Sequence, residues 1–396
     1  MKRYYLTTII ICVLALLAFS FIFHFWDQEP EISLIKVGFL SENDEMTANT
    51  YNFEQSQSIL KKEFDERIEI ISVTNVRADE TEAALTELVR KGCSIIFANT
   101  RSPEVKTTAA LHPEVQFCQL SNGVPAAVKS GDNYHTFNAK IYQGHYVAGA
   151  VAGMKMQEMI NNGVISQTDA LVGYVGSYPT AEVISGYTAF ILGVRSVVPD
   201  ALMRVRYTNV LSSFSQEKAA ARQLINEGCV VIAQNSGTAG PAAACQDAAL
   251  THTVYHVGYN ESMVDVAPMV SLVSPRANWD PYMVSAVRAV MTHQPIEKIA
   301  AGEVHGNDLC AGFEEDWVEM LELNENVAAA GSKEKIAELT EDFRKDKIDV
   351  FRGDYIGVNP DNMRITIDLN EGFTENSTSS KPAFRYILRG VVTVVK

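Results

Sequence analysis

A 13-residue stretch occurs twice in this chain, and the repetition limits the folds open to it. Residues 88–100 read LVRKGCSIIFANT, and residues 224–236 read LINEGCVVIAQNS. Each copy joins the end of a helix, a Gly-Cys pair, a short apolar strand and a polar end bearing Asn, at Asn99 and Asn235. A solenoid would need shorter and more numerous repeats. The repetition therefore predicts two similar α/β lobes that face one another.

Segments around the repeat recur at nearly the same offset, with VGFL at 37–40 answered by VGYV at 172–175. Short apolar segments typical of buried parallel strands alternate with helical segments. The strands are predicted at 35–40, 68–73, 94–97, 115–120, 134–137, 171–175, 203–208, 230–233 and 254–257. The helices between them are predicted at 50–64, 80–90, 104–111, 181–194, 216–226 and 241–249. The predicted fold class is α/β, with two Rossmann-like lobes built on parallel sheets.

The lobes are predicted to exchange chain segments. Lobe one is assigned residues 35–138 and 262–305, and lobe two residues 139–261 and 306–396. The Gly- and Ala-rich run after residue 142 predicts a helix packed closely against a sheet. After Asn307 the pattern is less regular, with a predicted helix at 333–346, strands at 349–353 and 364–367, a loop at 370–381 and one last strand within 384–395.

Residues 1–30 are predicted to be a membrane anchor or uncleaved signal segment. Residues 6–26, from Leu6 to Trp26, are mostly apolar and long enough to span roughly 30 Å of hydrocarbon as a helix. Lys2 and Arg3 precede this run, which predicts a cytoplasmic N-terminus and an exported globular part. No small-x-small cleavage site follows, and Cys12 lies inside the run rather than after it. The sequence favours a single-pass anchor in the cell membrane, and a cleaved signal is the alternative.

Charge and cysteine usage exclude some classes of function. The formal net charge is −15, so phosphate backbones would be repelled and nucleic-acid binding is not expected. The six cysteines form no CxxC pair and no Cys/His spacing suited to zinc. Most are interpreted as buried thiols, and a Cys93–Cys118 disulfide stays open as an alternative.

Enzyme motifs are absent from the sequence. No GxSxG, P-loop, HExxH or GxGxxG occurs at a strand-to-helix turn. His252 and His256 straddle a predicted strand rather than sharing a helix face, and the acidic run 314–316 is interpreted as a solvated loop. The prediction is a protein that is not an enzyme and that needs no cofactor or metal.

Polar and aromatic residues instead gather at the carboxyl ends of predicted strands, where open α/β sheets bind ligands. Amides and carboxylates can read the edge of a heterocycle or a sugar, and aromatic rings can stack on it. The candidate ligand-binding residues are Asn49, Tyr51, Asn99, Tyr178, Glu182, Asn235, Ser236, Asn260 and Trp279.

Five segments resemble one known family. They are IYQGHYVAG at 141–149, EVISGYTAFILGVRSVVP at 182–199, VVIAQNS at 230–236, VGYNESM at 257–263 and SPRANWDPY at 274–282. Together they are similar to the basic membrane protein family of substrate-binding proteins, which includes purine nucleoside receptors of ABC importers. The resemblance implies that Tyr51, Trp279 and the Asn235 loop line a cleft, that Asn260 meets a ribose or base edge, and that Tyr142 of the first segment is a further candidate. Asn260 stands where many members have Asp.

The resemblance implies an extracytoplasmic solute-binding protein with a fold similar to the type I periplasmic binding proteins, in which two α/β lobes close on a ligand about a hinge. Its ligand would be a purine nucleoside or base, and its partners an ABC permease, or another membrane protein, and the bilayer through residues 6–26. A membrane-tethered sensor that signals to a partner protein is the alternative, and a nucleoside hydrolase is less favoured because no acid/base pair or metal site is visible.

Overall fold

The computed structural model describes residues 34–43, 47–129, 131 and 133–395. The predicted membrane segment, residues 6–26, lies outside them. Within the described part, no helix is both long and apolar enough to cross a bilayer.

The first sheet of the described chain has seven strands and carries the first copy of the repeat. All neighbouring pairs are parallel except the pair at one edge, a hairpin formed by the two strands after residue 302. In spatial order the strands are Glu303–His305, Asp308–Ala311, Tyr134–Ala139, Gln116–Leu120, Cys93–Asn99, Ile35–Ser41 and Ile68–Val73. The helices of this lobe are Ala48–Phe64, Thr81–Arg90, Glu104–Leu111, Asp280–Met291 and Ile296–Ile299.

The second sheet, again counting described residues, has five strands that are all parallel. In spatial order they are Val392–Val394, Leu202–Tyr207, Leu171–Gly176, Val231–Gln234 and Tyr255–Val257. The helices that accompany them are Tyr142–Asn161, Ala181–Arg195, Phe214–Asn226 and Gly240–Ala248. The predicted α/β class with mostly parallel sheets is confirmed.

The chain after residue 257 connects the two sheets. Strands Pro275–Ala277 and Val318–Met320 pair antiparallel between them. Strand Asp308–Ala311 pairs in the first sheet, whereas the predicted boundary assigns residues from 306 onward to lobe two. The C-terminal region adds helix Ser332–Arg344 and a small antiparallel sheet of Thr366–Asp368, Ile356–Val358 and Ile387–Leu388.

Two glycines let helices Tyr142–Asn161 and Ala181–Arg195 pack backbone against backbone. A Cβ added at Gly149 would lie 2.1 Å from the carbonyl oxygen of Phe190, and one at Gly193 would lie 2.1 Å from that of Tyr146. The prediction of close packing was therefore right about the small residues. Gly149 packs on a helix, whereas Gly144 packs on the paired strands Pro275–Ala277 and Val318–Met320, where an added Cβ would lie 2.8 Å from Pro275 Cβ.

The C-terminal region differs from two predicted elements. Residues 349–353 form no strand and pair with no ladder in the described chain; within them, Arg352 Nε donates to Asp349 Oδ2 at 2.7 Å. The expected single strand within 384–395 is two strands, Ile387–Leu388 and Val392–Val394, separated at Gly390, whose φ of +74° interrupts the extended chain. The apolar pattern was real, but the backbone turns within it.

The five described cysteines, Cys93, Cys118, Cys229, Cys245 and Cys310, are buried free thiols. The Cys93–Cys118 disulfide left open by the sequence is therefore not formed. Burial raises the pKa of the Cys93 thiol to about 11, so the group stays protonated near neutral pH.

Candidate functional site

A polar cleft lies between the carboxyl ends of the two sheets. Its first wall comes from the loops and helix ends of lobe one and its second wall from those of lobe two. The lining side chains that matter below are Glu42, Thr47, Asn49, Asn99, Arg101 and Asn122 on one side, and Ser177, Thr180, Glu182, Asn235, Ser236 and Tyr259 on the other. A deeper extension of the same cleft reaches Asn138 and Trp279.

One helix of each lobe begins at this cleft. Thr47 caps helix Ala48–Phe64 by accepting from the backbone N–H of Thr50, and Thr180 caps helix Ala181–Arg195 by accepting from that of Val183. The second helical residue is Asn49 in one and Glu182 in the other. Because the first N–H groups of a helix have no partner within it and carry partial positive charge, both ends favour ligand oxygens.

The sequence itself carries this correspondence. Residues 47–49 read Thr-Ala-Asn and residues 180–182 read Thr-Ala-Glu, close to the spacing of the larger repeat. Thr47 and Thr180 were not among the predicted site residues, because a threonine at either position is explained by its role as a helix N-cap. The paired Thr-Ala-X signal is what could have identified them.

Five predicted residues line the main cleft, namely Asn49, Asn99, Glu182, Asn235 and Ser236. Trp279 lines the deeper extension, where its ring meets that of Phe137 edge-on with centroids 5.7 Å apart.

The other four candidates lie elsewhere. Asn260 is buried behind the lining and touches it through Asn49. Tyr51 is 46% exposed on its helix, and Tyr178 lies in the turn next to Ser177. Tyr142 packs against Phe351, with ring centroids 5.5 Å apart, in a separate pocket. The first segment of the resemblance thus contributes packing rather than a cleft side chain at this position.

Glu182 carries the cleft's most unusual electrostatics. Among the described residues its carboxylate has no hydrogen-bond partner. Burial raises the pKa of this carboxyl above its ordinary value of 4.5, and the charge of Arg101 across the cleft partly opposes that shift. A partly exposed carboxylate without protein donors can accept hydrogen bonds from a ligand.

Tyr259 and Asn235 form a polar corner beside Glu182. The ring of Tyr259 stacks on His145, with centroids 5.4 Å apart and planes 15° apart. Burial raises the pKa of Tyr259, and the nearby charge of Glu182 adds to that shift. Burial lowers the pKa of His145 to about 3, so its ring is neutral. The Nδ2 of Asn235 has no partner in the described chain and remains a free donor.

Asn260 ties the cleft to lobe one. Its Nδ2 donates to Asn49 Oδ1 at 2.6 Å, and its Oδ1 accepts from the N–H of Ala277 at 3.1 Å. Its φ of +60° is one that Asn tolerates better than most residues. Its amide therefore fixes Asn49, and any effect on a ligand passes through that neighbour.

The two walls also touch at the mouth of the cleft. The N–H of Ala48 in lobe one donates to the carbonyl oxygen of Gly237 in lobe two, with N and O 3.1 Å apart. This bond and the Asn49–Asn260 bond describe a closed arrangement.

The lining offers little to a metal ion. Its carboxylates are Glu42 and Glu182, and Glu42 already accepts from the backbone N–H of Arg101 at 2.9 Å. The described lining presents a carboxylate, a guanidinium, amides and hydroxyls. These groups suit the recognition of a neutral polar molecule.

Comparison with known proteins agrees with this architecture. The family of PnrA-like ABC transporter substrate-binding proteins matches residues 35–348. A purine-binding protein from Brucella abortus is 28% identical over 246 residues, which is 61% of this chain and 64% of that protein. A putative ABC transporter glucose-binding protein from Haloferax volcanii is 26% identical over 280 residues, 70% of this chain and 64% of that protein. The matches thus span less than two thirds of either relative.

Solved structures share the fold at low sequence identity. A solute-binding protein of an ABC transporter system from Conexibacter woesei superposes with a TM-score of 0.60 at 14% identity, over 79% of this chain and 97% of that one. A transcriptional activator of the comK gene from Bacillus halodurans gives 0.60 at 18% identity, over 78% and 98%. With the family match covering most of its length, this chain belongs to the PnrA-like family of ABC transporter substrate-binding proteins.

Proposed function

We propose that this protein captures a purine nucleoside or base in the cleft and delivers it to an ABC importer. The observation that carries the proposal is the pairing of unused groups in the closed cleft. Glu182 offers an acceptor without a donor, and Asn235 Nδ2 offers a donor without an acceptor, both counted within the described residues. Asn235 Nδ2 is fully buried, and buried polar groups normally find partners. Glu182 is only partly exposed at the cleft wall, so one ligand can supply partners to both groups.

A nucleoside matches those groups. Sugar hydroxyls can donate to Glu182, while ring nitrogens or a carbonyl of the base can accept from Asn235. Tyr259 and Trp279 supply aromatic surface against which a planar base can lie. The two relatives support the same reading, because one is named for a purine and the other for a sugar. A nucleoside contains both chemistries.

Delivery rests on closure about the hinge. A ligand that contacts both walls binds the closed form better than an open one, and so shifts the population toward it. The closed form would be the one that a permease recognises outside the cytoplasm, with residues 6–26 as the anchor.

The test is a thermal-unfolding screen of the full-length chain with adenosine, guanosine, inosine, adenine, ribose, glucose and amino acids. A ligand that binds only the folded state adds about 2.7 kcal/mol to the free energy of unfolding at 100 times its Kd. Stabilisation by nucleosides beyond that by ribose or adenine alone is expected.

Three other outcomes would change the conclusion. Stabilisation by glucose and ribose alone would replace the nucleoside with a sugar. Stabilisation by amino acids alone would support a solute receptor whose ligand is neither a nucleoside nor a sugar. No response to any solute would argue against ligand capture.

A further inference from the structure

Three metal-ligating side chains lie together on the edge hairpin of the first sheet, and none of them lines the cleft. Strands Glu303–His305 and Asp308–Ala311 pair antiparallel, with Glu303 directly opposite Cys310. Alternate residues of a strand share a face, and so do directly opposed residues of paired strands. Glu303, His305 and Cys310 therefore project on one side, and one ligand atom from each lies within 4.8 Å of the other two.

The hairpin that carries them is held in place on its far side. Its tight turn contains Gly306 at a φ of +69°, where a Cβ would lie 2.3 Å from the carbonyl oxygen of Val128. The next residue, Asn307, donates from Nδ2 to the carbonyl oxygen of Gly131 at 2.9 Å. A turn pressed against its neighbours in this way fixes the positions of the side chains beyond it.

The surroundings of His305 suit a ligand. Its Nε2 lies 3.2 Å from Glu303 Oε1 and 3.1 Å from the backbone carbonyl oxygen of Asn376. A hydrogen bond from one ring nitrogen to a backbone carbonyl is what orients many metal-binding imidazoles in proteins, and it leaves the other nitrogen for the ion.

Lys140 is the cation that balances these acids at present. Its Nζ lies 3.3 Å from Glu303 Oε2 and 3.1 Å from Glu314 Oε1. If Glu303 turned to a metal ion, Glu314 would still pair with Lys140. The ammonium group would therefore move slightly and keep Glu314 as its acidic partner, rather than being buried without one.

We propose that Glu303, His305 and Cys310 bind Zn²⁺ through a carboxylate oxygen, an imidazole nitrogen and a thiolate, with water in the fourth position. Mixed sulfur, nitrogen and oxygen donors suit zinc, and three protein ligands plus water is a common zinc arrangement. The sulfur disfavours Mg²⁺ and Ca²⁺. Binding releases the proton of the Cys310 thiol to solvent. The sequence alone does not indicate this site, because two ligands are alternate residues of one strand and the third lies across a turn on the paired strand.

The test uses Co²⁺ as a visible substitute for Zn²⁺ on the full-length chain after treatment with a chelator. One equivalent per chain should produce the ultraviolet charge-transfer absorption of a cobalt–thiolate bond, and Zn²⁺ should abolish it. Cys310→Ser should remove that absorption. Cys229→Ser, which alters a buried thiol just before strand Val231–Gln234 of the second sheet, should keep it.

His305→Gln and Glu303→Gln guard against misfolding of the buried Cys310 variant. Each should raise the Kd for Zn²⁺ by more than about tenfold, since even outer partners of a metal site contribute 10- to 100-fold. Mg²⁺ and Ca²⁺ should not compete. Absence of the thiolate absorption in the unaltered chain, its survival in Cys310→Ser, or unchanged affinity in both other variants would overturn the proposal.

Discussion

Glu182 sits in the first turn of its helix, and its carboxylate faces the cleft without a donor from the described protein. Glu182→Gln should weaken ligand binding by about 1.5–3 kcal/mol, the usual contribution of a hydrogen bond to a charged group. That loss corresponds to a roughly 10- to 150-fold rise in Kd by calorimetry. Glu114→Gln, at an exposed position outside the cleft, is the matched control and should leave Kd unchanged.

The pH dependence of the same residue has a definite sign. Burial holds the pKa of Glu182 above 4.5 in the folded protein, so its contribution to stability is fully present below pH 4.5 and is lost as pH rises through the folded pKa. Ligand affinity runs the other way, because the ionised form accepts the hydrogen bonds. Affinity should fall on acidification through that pKa, and Glu182→Gln should flatten this fall. A profile equally steep in the variant would assign the titration to another group.

At the scale of elements, the contact between helices Tyr142–Asn161 and Ala181–Arg195 tolerates no added methyl group. Gly193→Ala would place a Cβ 2.1 Å from the Tyr146 carbonyl oxygen, so the helices must separate. We expect a loss of about 1–3 kcal/mol in the free energy of unfolding, typical of overpacking, measured by urea denaturation.

The control for that substitution adds one heavy atom where there is room. Ala83→Ser lies on the exposed face of helix Thr81–Arg90 and should change stability by less than about 0.5 kcal/mol. Equal losses in both variants would show that the close helix contact is not what Gly193 serves.

Sequence reasoning worked best where local and long-range signals agreed. Between residues 35 and 257, most strands combined an apolar core with a polar end and a helix after it, and strands Ile68–Val73 and Ile35–Ser41 appear within a residue or so of their predicted bounds. The C-terminal region offered no such alternation. There an apolar run can bend at one residue, as it does at Gly390, and periodicity does not register the bend.

The cleft was predictable in part for a related reason. Asn99 and Asn235 follow equivalent strands, so strand ends alone bring them to the cleft. Tyr142 came from a resemblance between segments, which does not say whether a side chain packs inward or faces a ligand. Arg101 and Tyr259 matter because each interacts electrostatically with Glu182. No sequence pattern indicates which residues come close enough for that.

At the scale of the whole molecule, closure of the cleft can be tested by removing one backbone N–H group. Ala48 is the first residue of its helix, and its N–H crosses the cleft to Gly237. Proline is well tolerated at that helical position, and Thr47 already has the extended conformation that precedes proline. Ala48→Pro should therefore preserve lobe one while removing the bond across the cleft.

The expected cost of Ala48→Pro is about 0.5–1.5 kcal/mol in ligand binding, the net value of one hydrogen bond. Calorimetry gives the affinity, and thermal unfolding without ligand checks the fold. Ala48→Gly keeps the N–H and should retain most of the affinity. Equal affinity in the Pro and Gly variants would mean that this bond does not favour the ligand-bound form.

Neither sheet can be completed early in synthesis, because the first needs Asp308–Ala311 and the second needs Val392–Val394 from the far end of the chain. As the chain emerges from the ribosome, one edge of strand Leu202–Tyr207 stays unpaired until residues 392–394 have been made. Strand pairings between distant parts of a chain form slowly, and unpaired edges attract other chains. Sheets that draw strands from distant parts of the sequence thus leave the nascent protein vulnerable to aggregation until residues 392–394 have been made.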